Sequence, residues 1–373
     1  MKKTRITTIL GTRPELIRLS LIIKRLDEVF EHRLVHSGQN SDPMLSEIFF
    51  KELQIRKPDL YLEIENSTLG LFLGSLLPEI EIEFENNPPD AVVILGDTNS
   101  ALAGMIAKRK GIPVYHLEAG NRSFDPNVPE EINRRIVDHF SDFNLAYTNN
   151  AKDNLLREGI HPRTIAVTGS PLCEVISHFS GQISSSKILK ELKIESRKYF
   201  LVSTHRQENV DDPTRLQELI QSLNEIATKF NLPVVVSTHP RTKGKLDKLN
   251  LEINSLITFH QPFGFIDYCK LQKEARIVFS DSGSVSEESV ILGFRAITIL
   301  DSMERPEALE SGSVIMSGIN KVGVLKSIEV MESAPASISP PSEYLIPDTS
   351  TRVLNFVTST IYQHKFWSGL RDK

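Results

Sequence analysis

The 373-residue chain has only two cysteines, Cys173 and Cys269, with no CxxC pair and no Cys/His cluster at metal-ligand spacing. Neither a disulfide framework nor a zinc site is encoded, and the cytoplasm is the expected compartment. Long apolar runs are missing: the densest are segments such as AVVIL and PVVV, far short of the ~18 residues of a spanning helix. The opening MKKTRITTILGTRPE is basic, but its apolar stretch is short, broken by threonines and followed at once by Arg13 and Glu15. It reads as a first strand rather than a secretion signal. Positive charge is not in surplus either, since 43 Lys and Arg face 48 Asp and Glu for a net charge of -5. Nucleic acid and anionic membranes, which reward Lys and Arg, are therefore excluded as main partners. Two nucleotide fingerprints are also absent: LGTRPEL and SDSGSVS both fail G-x-G-x-x-G, and neither leads into GK[ST]. Nicotinamide hydride chemistry and a P-loop are set aside, and no cofactor or metal is expected.

What the chain does have is alternation. Short β-rich runs (5–10, 33–37, 91–95, 113–117, 143–147, 164–169) are separated by helical patterns near 14–27, 66–86, 98–110, 130–140 and 149–158. This grammar implies a parallel sheet covered on both faces. After weaker signals at 177–198 the pattern restarts, with strands at 199–205, 233–239, 256–260, 275–283 and 295–300 between helices near 212–229, 264–274 and 284–292. The expected architecture is α/β, two Rossmann-like doubly wound domains facing a cleft: residues 1–172, completed by a C-terminal helix within 349–373, and residues 173–348.

In open α/β sheets ligands bind beyond the carboxyl ends of the strands. Those ends carry Gly11-Thr12-Arg13-Pro14-Glu15, Gly38-Gln39-Asn40, Gly96-Asp97-Thr98-Asn99 and Glu118-Ala119-Gly120-Asn121-Arg122 in the first domain. In the second they carry Thr204-His205-Arg206-Gln207-Glu208, Thr238-His239-Pro240-Arg241 and Asp281-Ser282-Gly283-Ser284. GTRPE places Arg13 and a glycine at a helix start, where free N–H groups and the dipole suit a phosphate; a capped helix with a surface arginine is the plainer alternative. SDSGS offers a small-residue turn for a pyrophosphate, followed by Glu287 and Glu288, which either favour the helix dipole or accept from ribose hydroxyls. Asp97 and Glu118 end neighbouring strands, a poor place for a carboxylate without a partner or a task. Several acids in one pocket raise one another's pKa, so that one donates and another accepts a proton near neutral pH. Glu130 and Glu131 open a helix behind Pro129, where Glu130–Arg134 and Glu131–Arg135 would be i,i+4 pairs, each worth about 0.3–0.5 kcal/mol on an exposed helix. That pairing is the favoured reading of Glu131. His205 and His239 both close a VSTH run, and either packs as an ordinary strand-end histidine or stabilises phosphate charge.

With these motifs in order, GTRPE (11–15), LGDTNS (95–100), HLEAGNR (116–122), VPEEINR (128–134), THRQEN (204–209), SDSGS (280–284) and MERPEA (303–308), the chain resembles the non-hydrolysing UDP-N-acetylglucosamine 2-epimerases over nearly its whole length. The resemblance implies a GT-B-like fold, UDP held mainly by the second domain, a homodimer and a UDP-N-acetylhexosamine substrate. It implies that Asp97, Glu118 and Glu130 are the catalytic acids and His205 the phosphate-side histidine. Arg13, Arg18, Arg134, Arg206, Phe265, Ser282, Gly283, Ser284, Glu288 and Arg305 are then the substrate-binding residues, with Phe265 against uracil and Glu288 on the ribose. Three departures stand out: Arg18 where lysine is usual, Ser284 in place of a second glycine, and GQNSDPML in place of a QHREML-like segment. With RPELIRLS, IRKPD and EAGNRSFD, they look more like the branch that makes UDP-N-acetyl-L-fucosamine from UDP-2-acetamido-2,6-dideoxy-L-talose. A GT-B glycosyltransferase using a UDP-sugar donor is the alternative of another class; a non-catalytic UDP-sugar sensor would leave the carboxylates unexplained.

Overall fold

The apolar runs become the strands of two all-parallel sheets; the computed structural model describes residues 3–39, 43–204, 212–238, 251–333 and 340–370. The chain divides into two compact units, Met1–Ser177 with Glu343–Lys373, and His178–Ser342.

In the first unit the strands are β1 (Arg5–Leu10), β2 (Glu31–His36), β3 (Leu60–Tyr61), β4 (Ala91–Leu95), β5 (Val114–Leu117), β6 (Phe143–Ala146) and β7 (Ile165–Val167), in the order β3-β2-β1-β4-β5-β6-β7. The helices between them are α1 (Arg13–Val29), α2 (Pro43–Glu52), α3 (Leu69–Asn86), α4 (Gly104–Arg109), α5 (Pro129–Phe140), α6 (Asn149–Arg157) and α7 (Pro171–His178). Every residue of β4 is buried, as expected of a central strand covered on both faces. One face packs Ile9, Val92, Ile94 and Val114 against Phe72, Leu76, Ile80 and Phe84 of α3 and Val137 of α5. Strand order reverses between β1 and β4, so the loops after these two strands border the crevice where such sheets hold ligands.

The second unit repeats the plan with β8 (Phe200–Thr204), β9 (Val234–Thr238), β10 (Ile257–His260), β11 (Ile277–Ser280), β12 (Ala296–Thr298) and β13 (Val314–Met316), in the order β10-β9-β8-β11-β12-β13. Its helices are α8 (Ser180–Ser185), α9 (Ile188–Glu191), α10 (Pro213–Phe230), α11 (Phe265–Glu274), α12 (Val285–Leu292), α13 (Glu307–Glu310) and α14 (Lys321–Ser333). Here the order reverses between β8 and β11, and the SDSGS turn follows β11 directly.

The chain then returns to the first unit as α15 (Thr349–Thr360) and α16 (His364–Trp367). The Tyr115 and Thr360 hydroxyls lie 2.8 Å apart, and Tyr115 stacks on Phe143, whose edge meets Phe356. Buried His364 places Nε2 2.8 Å from Asp142 Oδ1, while Glu174 accepts from the N–H and hydroxyl of Ser350. Among the described residues no helix is long and apolar enough to cross a membrane.

Candidate active site

In the first unit, β4 and β5 run side by side with Leu95 opposite Leu117, so Asp97 and Glu118 leave adjacent strand ends. Each meets an arginine from a different helix. Arg134 of α5 donates Nε to Asp97 Oδ2 at 3.0 Å, and Asn133 beside it donates to the Asp97 carbonyl at 3.0 Å. Glu118 has a left-handed backbone, φ +67°, which is sparsely populated by residues with side chains. Its Oε2 lies 3.5 Å from Nε of Arg18, a buried residue of α1. The arginine that marks a sequence departure is thus the counter-charge of a candidate catalytic acid. Removing one member of such a low-dielectric pair costs more than the pair contributes, because the other charge stays in place.

Glu130 is exposed on the first turn of α5. Glu131 corrects the expectation of an exposed helix. It does pair with Arg135, at 2.9 Å, but it is buried, and its Oε2 accepts from the Ser123 N–H at 2.9 Å and hydroxyl at 3.1 Å. Its role is to anchor the 121–128 loop. That loop presents Phe124, 70 % exposed at φ +54°, below the Arg135 guanidinium.

The start of α1 is a second correction. The amides of Gly11 and Thr12, expected to await a phosphate, donate to Glu15 Oε2 at 2.9 and 2.7 Å, and Pro14 has no N–H to offer. The Thr12 hydroxyl also donates to Oε2, and the Thr98 hydroxyl donates to Oε1 at 2.9 Å. Glu15 therefore ties the loop after β1 to the loop after β4, across the reversal of strand order. Burial pushes its pKa from the ordinary 4.5 up to about 7, against the opposing pull of those four donors. Arg13, the first residue of α1, holds its guanidinium 5.9 Å from the Phe49 ring centroid. Gln39 reaches the same place, its Oε1 accepting from the N–H and hydroxyl of Ser100 at 3.0 and 2.7 Å. Gly11 has no room for a side chain there, since a Cβ would stand 2.0 Å from Ser37 Oγ and 2.2 Å from Ser100 Oγ.

In the second unit the SDSGS turn opens α12. A Cβ on Gly283 would fall 2.0 Å from Glu304 Oε1 and 2.5 Å from Arg305 Nη1, so the turn lies directly on those head groups. Arg305 is buried, its Nε 2.9 Å from Glu287 Oε1 and its Nη1 2.6 Å from Glu304 Oε1. It supports the turn from beneath. Ser284 donates its hydroxyl to Glu288 Oε1 at 2.8 Å, contacts Ser282 Oγ at 2.9 Å, and so orients the acid expected to meet a ribose. On its other oxygen Glu288 accepts from Nε2 of buried Gln272. Phe265 is 5 % exposed and edge-on to Phe179 at 6.1 Å, which leaves little of its ring for a nucleobase. His205, Arg206 and His239 lie outside the described residues, as do Asn40, Ser41 and Asp42 of GQNSDPML.

A family model described as UDP-N-acetylglucosamine 2-epimerase matches residues 24–358, most of the chain. The chain belongs to the UDP-N-acetylglucosamine 2-epimerase family. The family's relatives include UDP-N-acetylglucosamine 2-epimerase of Methanocaldococcus jannaschii, 38% identical over 88% of this chain and 92% of that protein. At 36% identity stands UDP-2,3-diacetamido-2,3-dideoxy-D-glucuronate 2-epimerase of Pseudomonas aeruginosa, aligned over 87% of this chain and 91% of that protein. The M. jannaschii epimerase, solved in complex with UDP-GlcNAc and UDP, superposes with a TM-score of 0.90 at 36% identity, covering 95% of this chain and 100% of that one. The α/β fold with two Rossmann-like sheets, which the alternation implied, is accordingly of the GT-B-like kind that the resemblance implied.

Four residues of this epimerase-family chain escaped the sequence reading of the site: Glu15, Gln272, His116 and Asp138. Glu15 and His116 stand inside motifs but look like ordinary capping and strand residues. Gln272 and Asp138 sit in the last turns of α11 and α5, and only the packing of the helices shows what they reach.

Proposed function

We propose that the protein is a cofactor-independent 2-epimerase acting on a UDP-linked 2-acetamido sugar. Family membership and the adjacent carboxylates Asp97 and Glu118, each met by its own arginine, carry this reading. The C2 proton of such a sugar has no neighbouring carbonyl to acidify it, so direct abstraction is slow. Cleavage of the C1–O bond sends its electron pair to UDP and leaves oxocarbenium character at C1. A carboxylate then takes the C2 proton, the C2–H pair becomes the C1=C2 double bond, and a 2-acetamidoglycal remains beside bound UDP. Return of a proton to the other face of C2 and of UDP to C1 completes the inversion. Asp97, Glu118 and Glu130 are the groups for the proton transfers, and Arg13 and His205 for leaving-group charge. The SDSGS turn with Glu288 is the nucleotide holder, and a homodimer is the expected assembly.

The sugar proposed first is UDP-2-acetamido-2,6-dideoxy-L-talose, giving UDP-N-acetyl-L-fucosamine. Its support is the set of departures at Arg18, Ser284 and GQNSDPML, two of which contact candidate site acids. UDP-N-acetylglucosamine, giving UDP-N-acetylmannosamine, is the second reading, favoured by the names of the relatives. Proton NMR in deuterated buffer with both sugars separates them. The true substrate gains deuterium at C2 and forms its epimer with the UDP-sugar pool conserved. Stoichiometric UDP release with transfer to an acceptor would mark a glycosyltransferase instead.

A further inference from the structure

We propose that His116 and Asp138 are positioning residues that set the spacing of Asp97 and Glu118; the inference rests on the epimerase reading above. The side chains of His116, Asp138 and Arg122 are all fully buried. His116 Nε2 lies 2.9 Å from the carbonyl of Gly96, the residue before Asp97. A carbonyl only accepts, so this nitrogen donates. The other ring nitrogen, Nδ1, is 2.9 Å from Asp138 Oδ1. Asp138 accepts the N–H of Gly120 at 3.2 Å and faces Arg122 Nη1 at 2.7 Å, while Arg122 donates twice to Glu158, at 2.8 and 2.6 Å.

These contacts fall on the residues flanking the candidate acids. His116 and Gly120 bracket Glu118 by two positions on either side and hold it in its left-handed conformation. Gly96 fixes Asp97 from the amino side. Asp138 lies one turn beyond Arg134 on α5, so the helix that clasps Asp97 is joined to the strand that carries Glu118. Gly120 has φ +87° and a Cβ there would meet the Ala151 carbonyl at 2.2 Å, so the loop passes tightly against α6 at this point. A buried charged network of this size is an inefficient way to gain stability, because desolvation offsets its attraction and apolar residues of equal volume do as well. Fixed geometry is what it supplies, and a displacement of about 1 Å at reacting groups costs about a hundredfold in rate.

Two substitutions separate positioning from packing. In His116→Asn the amide nitrogen stands where Nδ1 was, keeping the Asp138 contact and losing Gly96; in His116→Gln it stands where Nε2 was, keeping Gly96. The readout is the share of turnovers ending as free 2-acetamidoglycal and UDP rather than as epimer, with kcat, KM and UDP affinity alongside. For His116→Asn we expect kcat to fall about tenfold to a hundredfold, released glycal to rise and UDP affinity to hold, and His116→Gln to rescue the partition. Equal partition in both variants, scaled to folded protein, overturns the proposal. Should His116→Asn fail to fold, histidine-labelled 15N spectra of the wild type decide: a slowly exchanging ring Nε2–H supports the tether, and a freely exchanging one overturns it. Absence of C2 exchange in the wild type would instead remove the epimerase reading and this inference with it.

Discussion

The two units both carry acids beyond the carboxyl ends of their sheets, at strand ends in the first and on the first turn of α12 in the second, and neutralise them differently. In the first unit each acid is answered from afar: Asp97 by Arg134 of α5, Glu118 by Arg18 of α1. In the second, Glu288 is oriented by Ser284 of its own first turn and by Gln272 of the neighbouring helix, and Glu287 is locked to Arg305. Long-range pairing fixes where carboxylates stand relative to one another, which suits proton transfer. Local hydrogen bonding shapes a turn against a ligand, which suits binding.

Substitutions should split along this line, and the largest effect belongs to the first unit. Asp97→Asn or Glu118→Gln is expected to lower kcat by about a hundredfold to ten-thousandfold, the usual worth of a positioned proton-transfer group. UDP affinity, measured by calorimetry, should be nearly unchanged. Loss of UDP binding with kcat preserved would erase the distinction.

Next comes Gln272→Leu in the second unit, which leaves Glu288 without one of its donors. About tenfold weaker UDP binding, the worth of one hydrogen bond to a charged group, is expected with kcat little altered. A fall in kcat at unchanged affinity would show that Glu288 serves the chemistry rather than the nucleotide.

Glu15 tests the first unit by pH. Its pKa is raised from 4.5 to about 7, so the folded state holds a proton that the unfolded chain has released. Stability from this group is present in full below pH 4.5 and is lost as pH rises to about 7, by roughly 3 kcal/mol at most. Melting temperatures of wild type and Glu15→Gln, compared across that range, should show the wild type losing ground as pH rises. A constant difference would mean that Glu15 is ionised throughout.

The smallest expected effect is at Phe124. Because the side chain is 70 % exposed, Phe124→Ala should change stability by no more than about 0.5 kcal/mol. If the 121–128 loop lies over the sugar, KM for the UDP-sugar should rise severalfold while affinity for UDP alone holds; equal changes in both would place the loop elsewhere.

Most strands were legible because each is a short apolar run closed by small or polar residues. Those that escaped were β3, of two residues, too short for periodicity to register, and β13, of three. Helices α2, α7 and α14 escaped with them, as did the short helices α8, α9 and α13; the α14 pattern is interrupted by Gly323. The polar strand ends were legible for the same topological reason as the strands. Their pairings were not, since Arg18 meets Glu118 and Arg134 meets Asp97 only when helices far apart in sequence pack on one sheet. The α1 start was misread for a local reason: a helix terminus advertises free amides, yet Glu15 three residues on from Thr12 takes them first.

The central claim is that acids of the first unit move the C2 proton while UDP is retained. Proton NMR of the wild-type enzyme in deuterated buffer, with UDP-2-acetamido-2,6-dideoxy-L-talose and UDP-N-acetylglucosamine in separate samples, tests it most directly. The account predicts deuterium at C2 of both epimers of one of these sugars, with no net loss of UDP-sugar. UDP released in proportion to sugar consumed, with C2 unlabelled, would contradict it.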